Sequence, residues 1–272
     1  MSKPAAIKPA TQIAMRNGIN MFVYGYPGIG KTPFIATGEK TLILDGDRGA
    51  GSAAGSGADV WEDVTTWEKM EEAYEFLRHS NHGYRNVWWD GVSIGQDYLL
   101  EDVMNILIRP QSEGGKGKSH RVPYLVDQGE YQENMMRIKQ WIRHMIAQPF
   151  NFGVTGFPFP SFDEATDETK LWPWIQGKRM PQSVCSSFDF VVFCRRDDKG
   201  FKLYGRETED YYARDRWSVL GPGILNPTIP QIERMVRAKL GTAASTPAKT
   251  ATPAAKAAPK KIGPRPVQPR RK

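Results

Sequence analysis

The chain has 272 residues, 40% of them hydrophobic, with eight Trp and twelve Phe, enough to fill one substantial core and so to exclude wholesale disorder. Its net charge of +7 is local: residues 241–272 hold eight Lys and Arg and no acid, leaving 29 basic and 30 acidic residues in 1–240. No apolar run nears the roughly 18 residues that cross a bilayer, no apolar signal segment opens the chain, and two Cys make neither a disulfide framework nor a metal site, so a cytoplasmic setting is expected.

Residues 1–10 read as a flexible leader. The buried run at 19–24 predicts a strand that feeds a glycine loop, and 41–45 predicts a second strand. Helical spacing of Met70, Tyr74 and Leu77 predicts a helix over 67–78, followed by a strand at 86–90. Leu99, Leu100, Val103 and Leu107 mark a helix over 96–108; Met135, Ile138, Trp141, Ile142 and Met145 mark another over 130–147. Strands are predicted at 150–155 and 188–193, with late antiparallel strands at 202–204 and 211–214. Strands separated by helices imply an α/β fold, a mostly parallel sheet with helices on both faces. This domain is expected to end at residue 240. From Gly241 the chain is mostly Ala, Pro, Thr and Lys, which cannot bury enough surface to offset its ordering entropy. It reads as a disordered basic tail, either an arm for phosphate backbones or a solubilising extension.

The strongest local signal is Gly25-Tyr26-Pro27-Gly28-Ile29-Gly30-Lys31-Thr32, which fits G-x-x-x-x-G-K-[ST]. Glycines let backbone N–H groups turn toward an anion, and a following helix adds its unpaired N–H groups. Lys31 is expected to reach the β- and γ-phosphates and Thr32 to give its hydroxyl to Mg²⁺. Pro33 is tolerated in a first helical turn. The cofactors this predicts are ATP and Mg²⁺.

A phosphate loop needs a carboxylate for the metal, commonly at the carboxyl end of a neighbouring strand. Asp90 closes the 86–90 strand and is the candidate, against the alternative of an Asp that caps the next helix. Asp45-Gly46-Asp47 ends the second strand, and Asp47, further past it, is chosen to orient and deprotonate an attacking water; the alternative is a turn Asp. Thr155 ends the 150–155 strand, where its hydroxyl would sense the γ-phosphate.

The succession of phosphate loop, Leu42-Ile43-Leu44-Asp45-Gly46-Asp47, Val87-Trp88-Trp89-Asp90-Gly91-Val92-Ser93 and Gly153-Val154-Thr155-Gly156 resembles the RecA-like P-loop ATPase core. It is most similar to the phage-encoded RecA-like ATPases of the single-strand annealing and recombination (Sak-type) family, over residues 18–237. Phe188-Asp189-Phe190-Val191-Val192 and Tyr212-Ala213-Arg214-Asp215-Arg216-Trp217 fit the same pattern. The resemblance implies ATP hydrolysis, single-stranded DNA as partner, a homo-oligomer (ring or filament), no membrane, and the host cytoplasm.

Asp47 then matches the place of the family's catalytic Glu, one methylene shorter, and Phe157 stands where relatives carry a polar side chain. Arg214 and Arg216 match a pair that reaches a neighbouring subunit's nucleotide, against the alternative of surface ion pairs in cis. Two segments take the positions of DNA-binding loops. The first carries Arg109, Lys116, Lys118 and Arg121. The second, 157–181, carries Phe159, Phe162, Trp172, Trp174, Lys178 and Arg179, suited to stack bases or equally to pack on the sheet edge. Trp88 and Trp89 are assigned to the core. A nucleotide switch with little turnover and a small-molecule P-loop kinase remain as alternatives.

Overall fold

The computed structural model describes residues 18–108, 125–163 and 167–245. In chain order these form β1 (Asn20–Tyr24), α1 (Lys31–Ile35), β2 (Thr41–Asp45), a 3₁₀ turn (Ala50–Ala53), β3 (Asp59–Trp61), α2 (Trp67–His79), β4 (Asn86–Asp90) and α3 (Val92–Ile108). There follow α4 (Gln128–Ile146), β5 (Asn151–Gly156), β6 (Pro158–Asp163), β7 (Glu168–Pro173), α5 (Met180–Cys185), β8 (Phe190–Asp197), β9 (Gly200–Tyr204), β10 (Arg214–Asp215), β11 (Ile224–Leu225) and α6 (Ile229–Ser245).

β1, β2 and β4 are buried along their whole length, which is what continuous apolar runs dictate when both faces of a sheet are covered. They sit in a nine-stranded sheet of order β11-β9-β8-β1-β5-β4-β2-β3, with β10 beside the start of β8. Neighbours from β8 to β3 pair in parallel, and β9, β10 and β11 join antiparallel. One face packs Phe22, Leu44, Trp89, Phe152 and Val154 against Met70, Ile138, Trp141 and Met145 of α2 and α4. The other packs Val23, Ile43, Trp88 and Val192 against Phe34 and Ile35 of α1 and Ile232 and Val236 of α6. The result is a RecA-like P-loop core, with both tryptophans of β4 inside it.

Parallel pairing puts the carboxyl ends of β1, β2, β4 and β5 on one edge, with Tyr24 opposite Gly156 and Asp45 opposite Asp90. The turn that follows β4 uses the freedom of a glycine, since Gly91 has φ +87°.

Some elements differ from the sequence expectation. Residues 157–181, expected as a loop, fold in part as the β6–β7 hairpin, a separate two-stranded sheet running from Pro158 opposite Pro173 to Asp163 opposite Glu168. α6 buries Ile229, Ile232, Val236 and Leu240 on one face and continues to Ser245, past the compositional boundary at 240. The late strand at 211–214 is instead the two-residue β10. The leader, residues 246–272 of the tail, and the segment with Arg109, Lys116, Lys118 and Arg121 lie outside the described residues.

Candidate nucleotide site

The loop from Gly25 to Gly30 leaves β1 with the Gly25 N–H donating to Gly156 O at 3.1 Å. Gly28 and Gly30 hold φ of +74° and +107°, a region side chains disfavour, and beside Gly28 there is open space. Gly25 is required for packing instead: a Cβ there would lie 2.6 Å from the Cys194 carbonyl oxygen. Tyr26 stands at the tip, 52% exposed. α1 is a little over one turn, with Pro33 at its third residue. Donors to an anion therefore come chiefly from the loop backbone, and a long helix dipole contributes little.

Lys31 is buried and folded back, its Nζ donating to the carbonyls of Gly25 at 2.9 Å and Tyr26 at 3.0 Å. Its ammonium also lies 4.9 Å from the Phe157 ring centre. Burial lowers its pKa. Thr32 Oγ1 donates to Asp90 Oδ2 at 2.6 Å, and Thr155 Oγ1 donates to Asp90 Oδ1. The Gly91 N–H in turn donates to Thr155 Oγ1 at 2.8 Å. Asp90 is only 2% exposed, and burial pushes its carboxyl up to about 6 against the two hydroxyl bonds that hold it down.

Asp47 is half-buried, accepting from the Gly49 N–H at 3.0 Å. Its carboxyl lies against Gly91, where a Cβ would come within 2.3 Å of Asp47 Cγ. Burial, then the charge of Asp45, raises its pKa. Asp45 is buried and turned aside, its Oδ1 also accepting from Gly49 N at 3.0 Å. One sheet edge thus brings together the phosphate loop, Lys31, Thr32, Asp47, Asp90 and Thr155.

Other candidates lie elsewhere. β10 pairs with Phe190 and Val191, so Arg214 and Arg216 sit at the opposite, amino edge. There Arg214 donates to Ser186 O at 3.2 Å and Arg216 to Asp189 Oδ1 at 2.6 Å. On the hairpin, the Trp172 ring stacks on Tyr212 with centres 3.9 Å apart, and Trp174 stacks on Phe159 at 6.2 Å. Lys178 and Arg179 are exposed just beyond β7. The hairpin is tied to the site by Ser93, whose Oγ accepts from Phe157 N at 2.8 Å and donates to Trp174 O at 2.9 Å. Ser93, Gly91 and two residues of β8, Cys194 and Arg196, touch the site without having been singled out for it in the sequence. Gly91 and Ser93 follow Asp90 directly and were within reach of a local reading; the β8 pair carries no local signal.

The residues present fit a nucleoside triphosphate and Mg²⁺. The space beside Gly28 and the positive-φ glycines form a backbone cradle for phosphate. Thr32 and Asp90 are hard oxygen donors already in direct contact, 2.6 Å apart. Mg²⁺ is commonly held by one or two protein oxygens together with phosphate and water, a demand that the Thr32 hydroxyl and the Asp90 carboxylate can meet.

Comparison with solved structures finds the crystal structure of the RadB recombinase, 13% identical, covering 70% of this chain and 80% of that one with a TM-score of 0.39. A second solved structure, the ATPase domain of another protein, is 9% identical, covering 74% of this chain and 78% of that one, also with a TM-score of 0.39. No curated protein matches the sequence. No helix among the described residues is long and apolar enough to cross a membrane. Residues 17–217, from just ahead of β1 to just beyond β10, match the AAA domain family. The chain belongs to the AAA domain family, and carries its P-loop nucleotide site on a RecA-like core.

Proposed function

We propose that the protein binds ATP with Mg²⁺ and hydrolyses it, acting as a homo-oligomer, ring or filament, on single-stranded DNA in phage recombination or annealing. The observation that carries the ATPase reading is the meeting of Lys31, Thr32, Asp90, Thr155 and Asp47 beside the glycine loop. In this reading Lys31 exchanges its two loop carbonyls for β- and γ-phosphate oxygens, a stronger charge-assisted pairing. Thr32 and Asp90 hold Mg²⁺, which when bound offsets the charge that develops on the phosphates. Asp47 orients the attacking water and accepts its proton at the carboxylate, assisted by a pKa that burial has raised. Thr155, near the end of β5 and already bonded to Asp90, senses the γ-phosphate through its hydroxyl.

The DNA reading is supported by the hairpin, where Phe159 and Phe162 are 52% and 55% exposed, and by Lys178 and Arg179, exposed beyond the end of β7. Arg214 and Arg216 are the proposed contacts to a neighbouring subunit's nucleotide. A second reading, a nucleotide switch with little turnover, is favoured by Asp47 itself, which is short and tethered to Gly49.

The test is ATP hydrolysis with and without single-stranded DNA over a range of protein concentration. Stimulation by DNA and a rise in specific activity with concentration are expected. Tight nucleotide binding without turnover would select the switch, and turnover indifferent to DNA would remove the DNA reading.

A further inference from the structure

β8 runs on past the last residue it pairs with β1, Phe193 opposite Tyr24, and its final residues lie alongside the phosphate loop. Side chains of a strand alternate between faces. Arg195 lies with Phe193, its guanidinium over the rings of Phe193 and Tyr211. Cys194 and Arg196 point the other way. The Cys194 thiol donates to Tyr24 O at 3.1 Å and packs against Gly25. Two residues on, Arg196 Nε donates to Ile29 O at 3.0 Å, and its Nη2 lies 2.9 Å from where a Cβ on Gly30 would be.

An exposed guanidinium is therefore braced against the last glycine of the loop. Its neighbour Asp197 is engaged by Lys202 at 2.5 Å, and among the described residues Arg196 Nη1 and Nη2 have no acceptor. Arginine carries five N–H donors in a planar fork and stays charged at any working pH. One donor is spent on Ile29, and the rest remain for an anion.

We propose that Arg196 is a nucleotide-binding residue of its own subunit, steadying the loop through Ile29 and meeting the phosphates that nucleoside di- and triphosphates share. The proposal rests on the nucleotide reading of the loop given above. The backbone of such a loop cradles the α- and β-phosphates while its lysine reaches the β- and γ-phosphates. A cation at Gly30 thus acts on the charge common to ADP and ATP and leaves the γ-phosphate to Lys31.

The experiment titrates ADP and a non-hydrolysable ATP analogue, each with Mg²⁺, into the full chain and into Arg196→Gln and Arg196→Lys, with the melting temperature of each protein. Glutamine keeps an N–H for Ile29 O and loses the charge. Both Kd values should rise in Arg196→Gln by about tenfold and by the same factor, with lysine in between and melting unchanged. Wild-type Kd values in Arg196→Gln would leave Arg196 as a strut only and overturn the proposal. So would a loss confined to the ATP analogue, or one that follows a drop in melting temperature. If the wild-type chain takes up neither nucleotide, the site reading falls and this inference falls with it.

Discussion

At the amino edge of the parallel sheet, several polar side chains complete one another, while among the described residues Asn20 Oδ1 and Thr41 Oγ1 are buried there without a partner. Asn86 donates to Glu39 O at 2.7 Å, Asn151 donates to Asn86 Oδ1 at 2.8 Å and accepts from Ile19 N at 2.7 Å, and Asp189 is paired with Arg216 at 2.6 Å. At the carboxyl edge the same residue types are left with business unfinished. Asp90 is held by two hydroxyls and a buried environment, and among the described residues no Lys or Arg forms an ion pair with it. Lys31, the nearby cation, is occupied with backbone carbonyls. A buried charge is costly unless it is paired. The amino edge carries an ion pair between Asp189 and Arg216, whereas the carboxyl edge keeps Asp90 and Lys31 without an ion pair between them, which in the proposed reading leaves both for a ligand.

This contrast predicts mutations of opposite sign. Asp90→Asn should cut ATP hydrolysis by about 10²-fold, as loss of a group that stabilises transition-state charge does. It should also raise the melting temperature of the nucleotide-free protein at neutral pH, because a buried unpaired charge is gone. An unchanged or lowered melting temperature would mean that Asp90 is a structural pair like Asp189. Gly91→Ala comes next. Its Cβ would collide with Asp47, and φ of +87° strains any side chain, so hydrolysis should fall about tenfold with a loss of about 1–2 kcal/mol in denaturant unfolding. Full activity in that variant would remove Asp47 from the mechanism.

Asp189→Asn, at the other edge, should cost about 1 kcal/mol, given that Arg216 is partly solvent-exposed, and leave ATP affinity unchanged at protein concentrations too low for subunits to assemble. The smallest effect is a pH dependence. The folded-state pKa of Asp90 is raised from 3.8 to about 6, so between those values the folded protein binds a proton that the unfolded chain does not. The stability Asp90 contributes is complete below 3.8 and is lost as pH rises through about 6. Denaturant unfolding of nucleotide-free protein at about pH 5 and about pH 7 should therefore favour the lower pH in the wild type relative to Asp90→Asn.

Much of this edge was legible because its signals are local. The phosphate loop is contiguous, and Asp90 and Thr155 each end an apolar run, which in a parallel sheet fixes which edge they occupy. The β6–β7 hairpin was not legible: Pro158 and Pro160 read as loop punctuation, and its pairing is with a strand that itself resembles a polar linker. β3 is three residues long, two of them exposed, too short for alternation to register. α6 has its apolar spacing in plain view yet is missing from the expected elements; Pro230, near its start, is accommodated in the first turn. Arg196 and Cys194 reach the loop only because β8 lies next to β1, 170 residues away in the chain between Cys194 and Tyr24, a neighbourhood that no window of sequence contains.

The most direct test of the account is calorimetric titration of Mg²⁺-ATP into the folded full-length chain and into Lys31→Ala. One binding site per chain in the wild type, weakened by about 10²-fold or more in the variant, is the predicted result. A folded wild-type protein that takes up no nucleotide, or a variant that binds it as tightly, would contradict it.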